Sequence, residues 1–518
     1  MPLSPRSLVC LLLIALPGCS PGTSTTRPVA TPRAEPAGWT VPALPPAITV
    51  SAAEYAQRRR ALGATMGDGV LVALGSKAPS ADYLQFFQNS PFRYLTGVTE
   101  PGAALVITKT GGRVEEQLFV LSRNPAQEVW EGSRLGAERA RQLTGIPTRT
   151  ADRLFFALDS LLRQHRTVYT VFPGSGDEIE TADSTRDQRM LMRLAAQHGA
   201  RSVPMDETLS RMRGTKSATE LDLIRRAVYI TNIAQREAMR SIEPGMNEFE
   251  VQALIEYVFR RHGAERPSFA TIAGSGPNST TLHYNTNDRF MQAGDMVVMD
   301  IGASYRGYAA DVTRSVPVNG VFSPEQRAIY EIVLQAQKTA EALARPGASM
   351  AQLNAAASRV LAEGLARLGL IESADATYAC GGRGALGRCP QLRLFYMHGL
   401  GHGIGLDVHD PNTSPFVAGS AFTIEPGIYV RADALDYLPD TPENRTLIGR
   451  LRPVLERYRN IGVRIEDDYF ITANGAERIS AGAPREIVEI EALMAQAGPG
   501  NRERRPEVVE WYRTSGTR

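Results

Sequence analysis

Five residues recur in order through the second half of the chain in settings suited to metal ligands: Asp300, Asp311, His402, Glu425 and Glu466. Their contexts are VVMDIGA, GYAADVTRS, MHGLGHGIGLDVHD, TIEPGIYV and GVRIEDD. A carboxylate among apolar neighbours is costly to bury unless something pairs it, and a divalent cation does so. Taken singly, each acid reads as a solvated turn or cap. Five in order, each flanked by strand-like or glycine-rich sequence, read as one site. Four carboxylates and one imidazole make a hard, oxygen-rich donor set. Such a set bridges two ions and a shared hydroxide, the arrangement that hydrolyses amides at neutral pH.

The elements that must carry these residues are mainly strands, expected at about 295–302, 307–318, 420–430 and 462–472. A short turn at Ser304 to Gly307 would join the first two as a hairpin, with Asp300 and Asp311 facing each other across the pair. Glu425 would open a Glu-Pro-Gly turn, and Glu466 would lie on the last strand. Ser217 and Glu220 form a capping box for a long amphipathic helix that stops near Pro244-Gly245. Further helices are expected at about 248–262, 324–344 and 350–368. Ser323, Pro324 and Gln326 mark the start of the second of these.

A chain of 518 residues is too long for one ordinary core, so two domains are expected. Apolar content of 43% and charged content of 22% place it among globular proteins. A net charge of +2 argues against nucleic acid as the main partner. Between 48 and 210, apolar runs (Gly69 to Leu74, Ala103 to Thr108, Gln117 to Leu121, Thr167 to Phe172) alternate with helical patterns. That alternation predicts an α/β N-terminal domain, opened by a helix capped at Ser51 with Glu54. The catalytic domain would span 211–497, with a polar tail at 498–518.

Residues 1–19 read as an export signal: a short, weakly basic start followed by the apolar run Leu8 to Leu16. The ending Leu16-Pro17-Gly18-Cys19 resembles the lipobox of bacterial lipoproteins, in which the Cys becomes the lipidated N-terminus. With Ser20 next, the resemblance implies a periplasm-facing, outer-membrane lipoprotein; an ordinary secreted protein cleaved nearby is the alternative. Residues 20–47, rich in Pro, Thr, Ser and Ala, would be a disordered tether.

The second half resembles the pita-bread dinuclear metallopeptidases, in the Xaa-Pro aminopeptidase and prolidase branch. The motifs are Thr281-Leu-His283-Tyr-Asn285, Met299-Asp300-Ile-Gly302, Asp311-Val-Thr313-Arg314, His398-Gly-Leu-Gly-His402 through His409-Asp410, Ile424-Glu425-Pro-Gly-Ile-Tyr429 and Gly462-Val-Arg464-Ile-Glu466-Asp467. Asp82 to Gly97 resembles the N-terminal domain of that family. The resemblance implies an α/β N-terminal domain followed by an α+β pita-bread domain. It implies two divalent ions, Mn²⁺ by the hardness of the donors, held by Asp300, Asp311, His402, Glu425 and Glu466. A metal-bridging hydroxide would attack the scissile carbonyl, with Glu425 as the base. His283 would lie beside the substrate. His398 and His409 would bind it and stabilise the oxyanion. Arg464 would fix a ligand carboxylate from behind, and Tyr429 would join that network. Lone histidines are usually structural, but four of the seven fall inside these motifs, which reverses the preference. The implied reaction removes the N-terminal residue from peptides with Pro second. A prolidase of Xaa-Pro dipeptides and a non-catalytic peptide-binding relative are the alternatives; the complete ligand set disfavours the last.

Two departures from relatives stand out. The segment between His409 and Glu425 is short. An insertion, Arg431 to Asn460, carries a helix at about 444–458; it would restrict the cleft, form a homo-oligomer contact or be a surface excursion. With Cys10 in the signal and Cys19 lipidated, Cys380 and Cys389 remain as a disulfide pair across a short loop in an exported protein. Such a bridge contributes on the order of 2–3 kcal/mol; two free thiols are the alternative.

Lipidation at Cys19 has a direct consequence. A Cys19→Ser protein should leave the membrane fraction or accumulate unprocessed while its folded part keeps its activity, because several acyl chains anchor more firmly than one. Membrane fractionation and mass spectrometry of the N-terminus check this. An unmodified mature N-terminus downstream of Cys19 would refute it.

Overall fold

The computed structural model describes residues 48–79, 84–172, 182–381, 386–498 and 500. The signal at 1–19 with Cys19, the tether at 20–47, Asp82 and nearly all of the tail at 498–518 lie outside the described residues. Among the described residues, no helix is long and apolar enough to cross a membrane.

The N-terminal part is built on strands β1 (Gly69–Leu74), β2 (Ala104–Thr110), β3 (Arg113–Val120), β4 (Thr148–Thr150), β5 (Thr167–Val171) and β6 (Arg201–Pro204). They form one mixed sheet in the order β4-β3-β2-β1-β5-β6. Side chains alternate across a strand, and β1 uses both faces. Val70, Val72 and Leu74 pack under Leu154, Leu158, Leu162 and Leu191 of two covering helices. Leu71 and Ala73 point the other way, onto Phe92 and Leu95 and onto Leu223, Ile224, Ala227 and Val228. The last four belong to the long helix Ala218–Ser241 of the second part. This two-sided burial explains why β1 is continuously apolar instead of alternating. At the first helix, Ala52–Ala64, only half of a capping box forms: Ser51 accepts from the Glu54 amide, while the Glu54 carboxylate turns to Arg58 and Ser217.

The second part has α+β pita-bread architecture. Helices Ala218–Ser241, Glu248–Arg261, Pro324–Leu343 and Met350–Leu368 all open with complete capping boxes, and they pack on small sheets. The strands are β7 (Arg266–Pro267), β8 (Ile272–Ser275), β9 (Met296–Ile301), β10 (Ala303–Tyr305), β11 (Tyr308–Ala309), β12 (Val312–Pro317), β13 (Thr377–Cys380), β14 (Gly387–Pro390), β15 (Ala421–Ile424), β16 (Gly427–Val430), β17 (Ile461–Arg464), β18 (Asp467–Thr472) and β19 (Gly475–Arg478).

Two expectations are corrected here. Asp300 stands opposite Thr313, not Asp311; Asp311 lies just before β12, diagonal to Asp300. The single strands expected at 420–430 and 462–472 are each broken in two. β15 pairs with β18 up to Ile424 and Asp467, and β16 pairs with β17 from Gly427 and Arg464. Both breaks fall at one level, and Glu425 and Glu466 occupy them. Pro426 has no N–H to continue the ladder, and the Glu466 amide turns to the Thr313 carbonyl at 3.1 Å.

The insertion holds a helix, Pro442–Tyr458, capped by Thr441. Its Asn444 exchanges hydrogen bonds with the Ala379 backbone, 3.2 and 2.9 Å. Ala379 lies in the β13–β14 hairpin, which the Cys380–Cys389 disulfide closes.

A buried ionic cluster ties the segment before Ala218 to the loop after His402. Arg213 donates to Asp407 and Asp410, Lys216 lies 3.0 Å from Asp410, and Ser90 donates to Asp407 at 2.5 Å. Although burial opposes ionisation, the two cations hold the Asp410 carboxyl below its ordinary value of 3.8. Asp410→Ala leaves the buried Lys216 without its carboxylate and Arg213 with Asp407 alone, and should cost about 3–5 kcal/mol. Because the folded pKa is depressed, the contribution of Asp410 is complete above the unfolded value and is lost as pH falls through the folded one. The melting-temperature gap between wild type and variant should therefore stay constant from neutral pH down to about pH 5 and shrink below about pH 4. Thermal melts across that range check it.

Candidate active site

Asp300, Asp311, His402, Glu425 and Glu466 converge on one cavity of about 450 Å³, with His283, His398, His409 and Arg464 in its wall. Three elements deliver the carboxylates: β9 carries Asp300, the approach to β12 carries Asp311, and the paired strand breaks present Glu425 and Glu466. His402 comes from the glycine-rich loop. Its amide donates to the Thr423 hydroxyl oxygen at 3.1 Å, and the Thr423 amide donates back to the His402 carbonyl at 2.9 Å. The approach is so close that a Cβ on Gly401 would collide with the Thr423 carbonyl.

Two of the acids are braced on one oxygen by the protein. Arg464 donates to Asp300 Oδ2, and Thr313 donates to Glu466 Oε2 at 2.7 Å. Their other oxygens, Asp300 Oδ1 and Glu466 Oε1, are buried with no hydrogen-bond partner, as is Asp311 Oδ1. His402 Nδ1 bonds to the Gly403 carbonyl at 3.0 Å. A carbonyl only accepts, so Nδ1 carries the proton and the Nε2 lone pair faces inward. That lone pair lies 3.5 Å from Asp311, 3.6 Å from Glu425 and 3.9 Å from Glu466. Burial holds the His402 pKa down at about 4, so the imidazole is neutral at pH 7.

A lone pair facing three carboxylate oxygens, one of them bare, with two more bare oxygens beside them, is a repulsive arrangement unless cations sit among them. Asp311, His402 and Glu466 offer ligand atoms within 4.8 Å of one another. The donor set therefore fits divalent metal. Burial, then the neighbouring acids, pushes the Asp311 and Glu425 carboxyls well above the usual range, and burial with Asp300 raises Glu466. A bound cation would reverse that.

A second network runs behind the cavity. Arg464 Nη1 donates to the Tyr429 hydroxyl at 2.9 Å, and that hydroxyl lies 2.8 Å from His398 Nε2. His398 Nδ1 bonds to the Gly399 carbonyl at 2.7 Å, so this nitrogen carries the proton and Tyr429 donates to Nε2. Nδ1 also lies 3.7 Å from Glu425. Burial, then Arg464, lowers the His398 pKa to about 4. The His409 ring packs edge-on against His402 with centroids 4.3 Å apart. Deeper still, the fully buried Arg314 bonds Asp467 at 2.6 Å and the Glu466 carbonyl at 2.6 Å. Asp468 accepts from the Asp311 amide at 3.0 Å.

The sequence reading missed Asp467 and Asp468 as supports. The resemblance implied an apolar wall beside a histidine pair without naming its residues, which are Phe269, Ala270, Leu282 and Val408. The acidic run after Glu466 was a usable signal for the supports; no local pattern announced the wall.

Residues 222–473 match the model of metallopeptidase family M24, and residues 55–169 match the aminopeptidase P N-terminal domain. A Xaa-Pro aminopeptidase of Haemophilus influenzae is 38% identical over 79% of this chain and 88% of its own length. One from Escherichia coli is 35% identical over 86% of this chain and 99% of its own. The chain belongs to metallopeptidase family M24, in its aminopeptidase P-like branch. Solved relatives agree. An E. coli aminopeptidase P variant in complex with substrate superposes with a TM-score of 0.72 at 33% identity, covering 86% of this chain and 98% of its own. A proline aminopeptidase from Yersinia pestis gives 0.73 at 33% identity, covering 86% and 100%. Family M24 enzymes are metallopeptidases, and this member keeps a donor set that fits divalent cations.

Asp311→Ala removes an inward-facing carboxylate from the centre of that set. The purified variant should lose most of its bound metal by elemental analysis, whereas His409→Ala should keep wild-type metal content. Metal loss in both would place His409 among the ligands instead.

Proposed function

We propose that this M24 member removes the N-terminal residue from peptides whose second residue is proline. The observation that supports it is the convergence of five metal-type donors with three substrate-facing histidines and an apolar wall in one cavity. Asp300, Asp311, His402, Glu425 and Glu466 would hold the ions. Two divalent cations there, manganese by the hardness of four carboxylates, would supply Lewis acidity and an activated water.

The chain's own groups do the rest. Glu425 is the proton carrier: it takes the proton of the attacking water and delivers it to the departing proline nitrogen. His409 donates a hydrogen bond to the oxygen of the tetrahedral intermediate, and His398 joins it when its Nδ1–H, held by the Gly399 carbonyl here, turns to the substrate. Tyr429 fixes the His398 tautomer, and Arg464 fixes both Tyr429 and Asp300. His283, in the cavity wall, faces the peptide. The bond before proline has no N–H, so the site need not satisfy a donor there. Phe269, Leu282 and Val408 suit the pyrrolidine ring instead.

We also propose that the enzyme is exported and anchored through Cys19, with the Pro-rich segment as tether. The support is the apolar run ending in Leu-Pro-Gly-Cys.

The decisive assay compares Xaa-Pro-Xaa tripeptides with Xaa-Pro dipeptides. Tripeptides should be cleaved after the first residue with the higher kcat/KM. Chelation should abolish the reaction, and Mn²⁺ should restore it best. Cleavage of dipeptides alone would make the protein a prolidase, and full activity in metal-free protein would overturn the mechanism.

A further inference from the structure

A second cavity, about 470 Å³, opens beside the first. Its walls come from both parts of the chain: Leu84, Phe86 and Phe87 on one side, Arg266 and Leu406 on the other. Phe269, Ala270 and Val408 line both cavities, so the two lie side by side along one shared wall.

We propose that this groove takes the peptide beyond the proline, and that Leu84 and Phe86 select an apolar side chain there. The proposal rests on the aminopeptidase reading. An enzyme that releases one N-terminal residue needs room for only that residue on one side of the scissile bond. All remaining substrate lies on the leaving side, so a groove that adjoins the site is placed to hold the leaving peptide.

The lining suits such an occupant. Leu84 is 48% exposed and Phe86 half-buried, an apolar strip without a covering element among the described residues. Phe87 is held flat by the Arg266 guanidinium, 3.9 Å from its centroid. Asp407, the acid in this lining, is already bonded to Arg213 and Ser90, so the groove presents no uncompensated negative charge to repel a peptide. The Ser90–Asp407 bond also fastens the N-terminal wall to the loop that carries Val408 and His409. The two walls are therefore set at a fixed separation beside the catalytic residues.

The test compares an Ala-Pro-Ala tripeptide with the pentapeptide Ala-Pro-Ala-Leu-Ala. Wild-type enzyme should favour the pentapeptide about tenfold in kcat/KM, the worth of one well-buried apolar side chain, carried by KM. Leu84→Ala with Phe86→Ala should erase that advantage while tripeptide kinetics and metal content stay at wild-type values. Leu84→Ser alone, at an exposed position, should give part of the same loss. Equal turnover of both peptides by wild type would overturn the groove assignment. So would variants that keep the preference, or that lose both substrates equally. If neither peptide is hydrolysed by wild type, the aminopeptidase reading itself fails, and the groove assignment falls with it.

Discussion

Four carboxylates line one small cavity, and their mutual repulsion is the constraint to which the rest of the catalytic half answers. Left alone, such acids would protonate or splay apart. Here the surrounding chain grips them so that they cannot splay, and burial beside one another raises the Asp311, Glu425 and Glu466 carboxyls. Arg464 holds Asp300 and Thr313 holds Glu466, in each case by one oxygen, which leaves the other aimed inward. Behind them, Arg314 donates to the Thr313, Glu466, Ala483 and Pro484 carbonyls and to Asp467. That one guanidinium fixes the backbone on both sides of Glu466. The protein thus stores an electrostatic deficit that only cations relieve.

The backbone serves the same end. A regular hairpin would have pointed alternate side chains to opposite faces. Interrupting both strands at one level releases Glu425 and Glu466 from that alternation. The interruption is stable because its polar groups are used elsewhere: the Glu425 amide bonds to the Leu400 carbonyl at 2.8 Å, and Ile465 turns to Pro426. Gln337 spans the gap, donating to the Ile424 and Ile465 carbonyls at 3.2 and 3.1 Å. A helix side chain thereby replaces the missing rungs.

What could be read from the amino-acid order was what is local. Capping boxes read at Ser217 and Ser323 involve residues three apart, and both helices begin there; the box read at Ser51 forms only in half, because Glu54 turns to Arg58 and Ser217. The candidate ligands were legible because an acid inside an apolar run is conspicuous by itself. The strand breaks were not, because a run such as Gly462 to Thr472 reads as one strand until its partner is known. The partner of Asp300 was misread although the turn was not: counting outward from the Tyr305–Tyr308 pair puts Asp300 opposite Thr313, and Asp311 falls on the diagonal. Pairings such as Arg314 with Asp467, Arg213 with Asp410 or Arg266 with Phe87 join residues more than 150 positions apart. No periodicity encodes them.

The apolar layer beneath β1 has one more implication. Leu71, Phe92 and Leu95 share a single core with Ile224, Val228, Tyr308, Ile404 and Leu406. Sequence families divide the chain into two modules, but there is no seam of water-facing surface along which they could part. A protease that cut between them would gain no stable fragment, and a gene that lost the first module would encode an exposed oily face directly behind the catalytic loop. Among the described residues the two modules therefore share one core and fold as one unit.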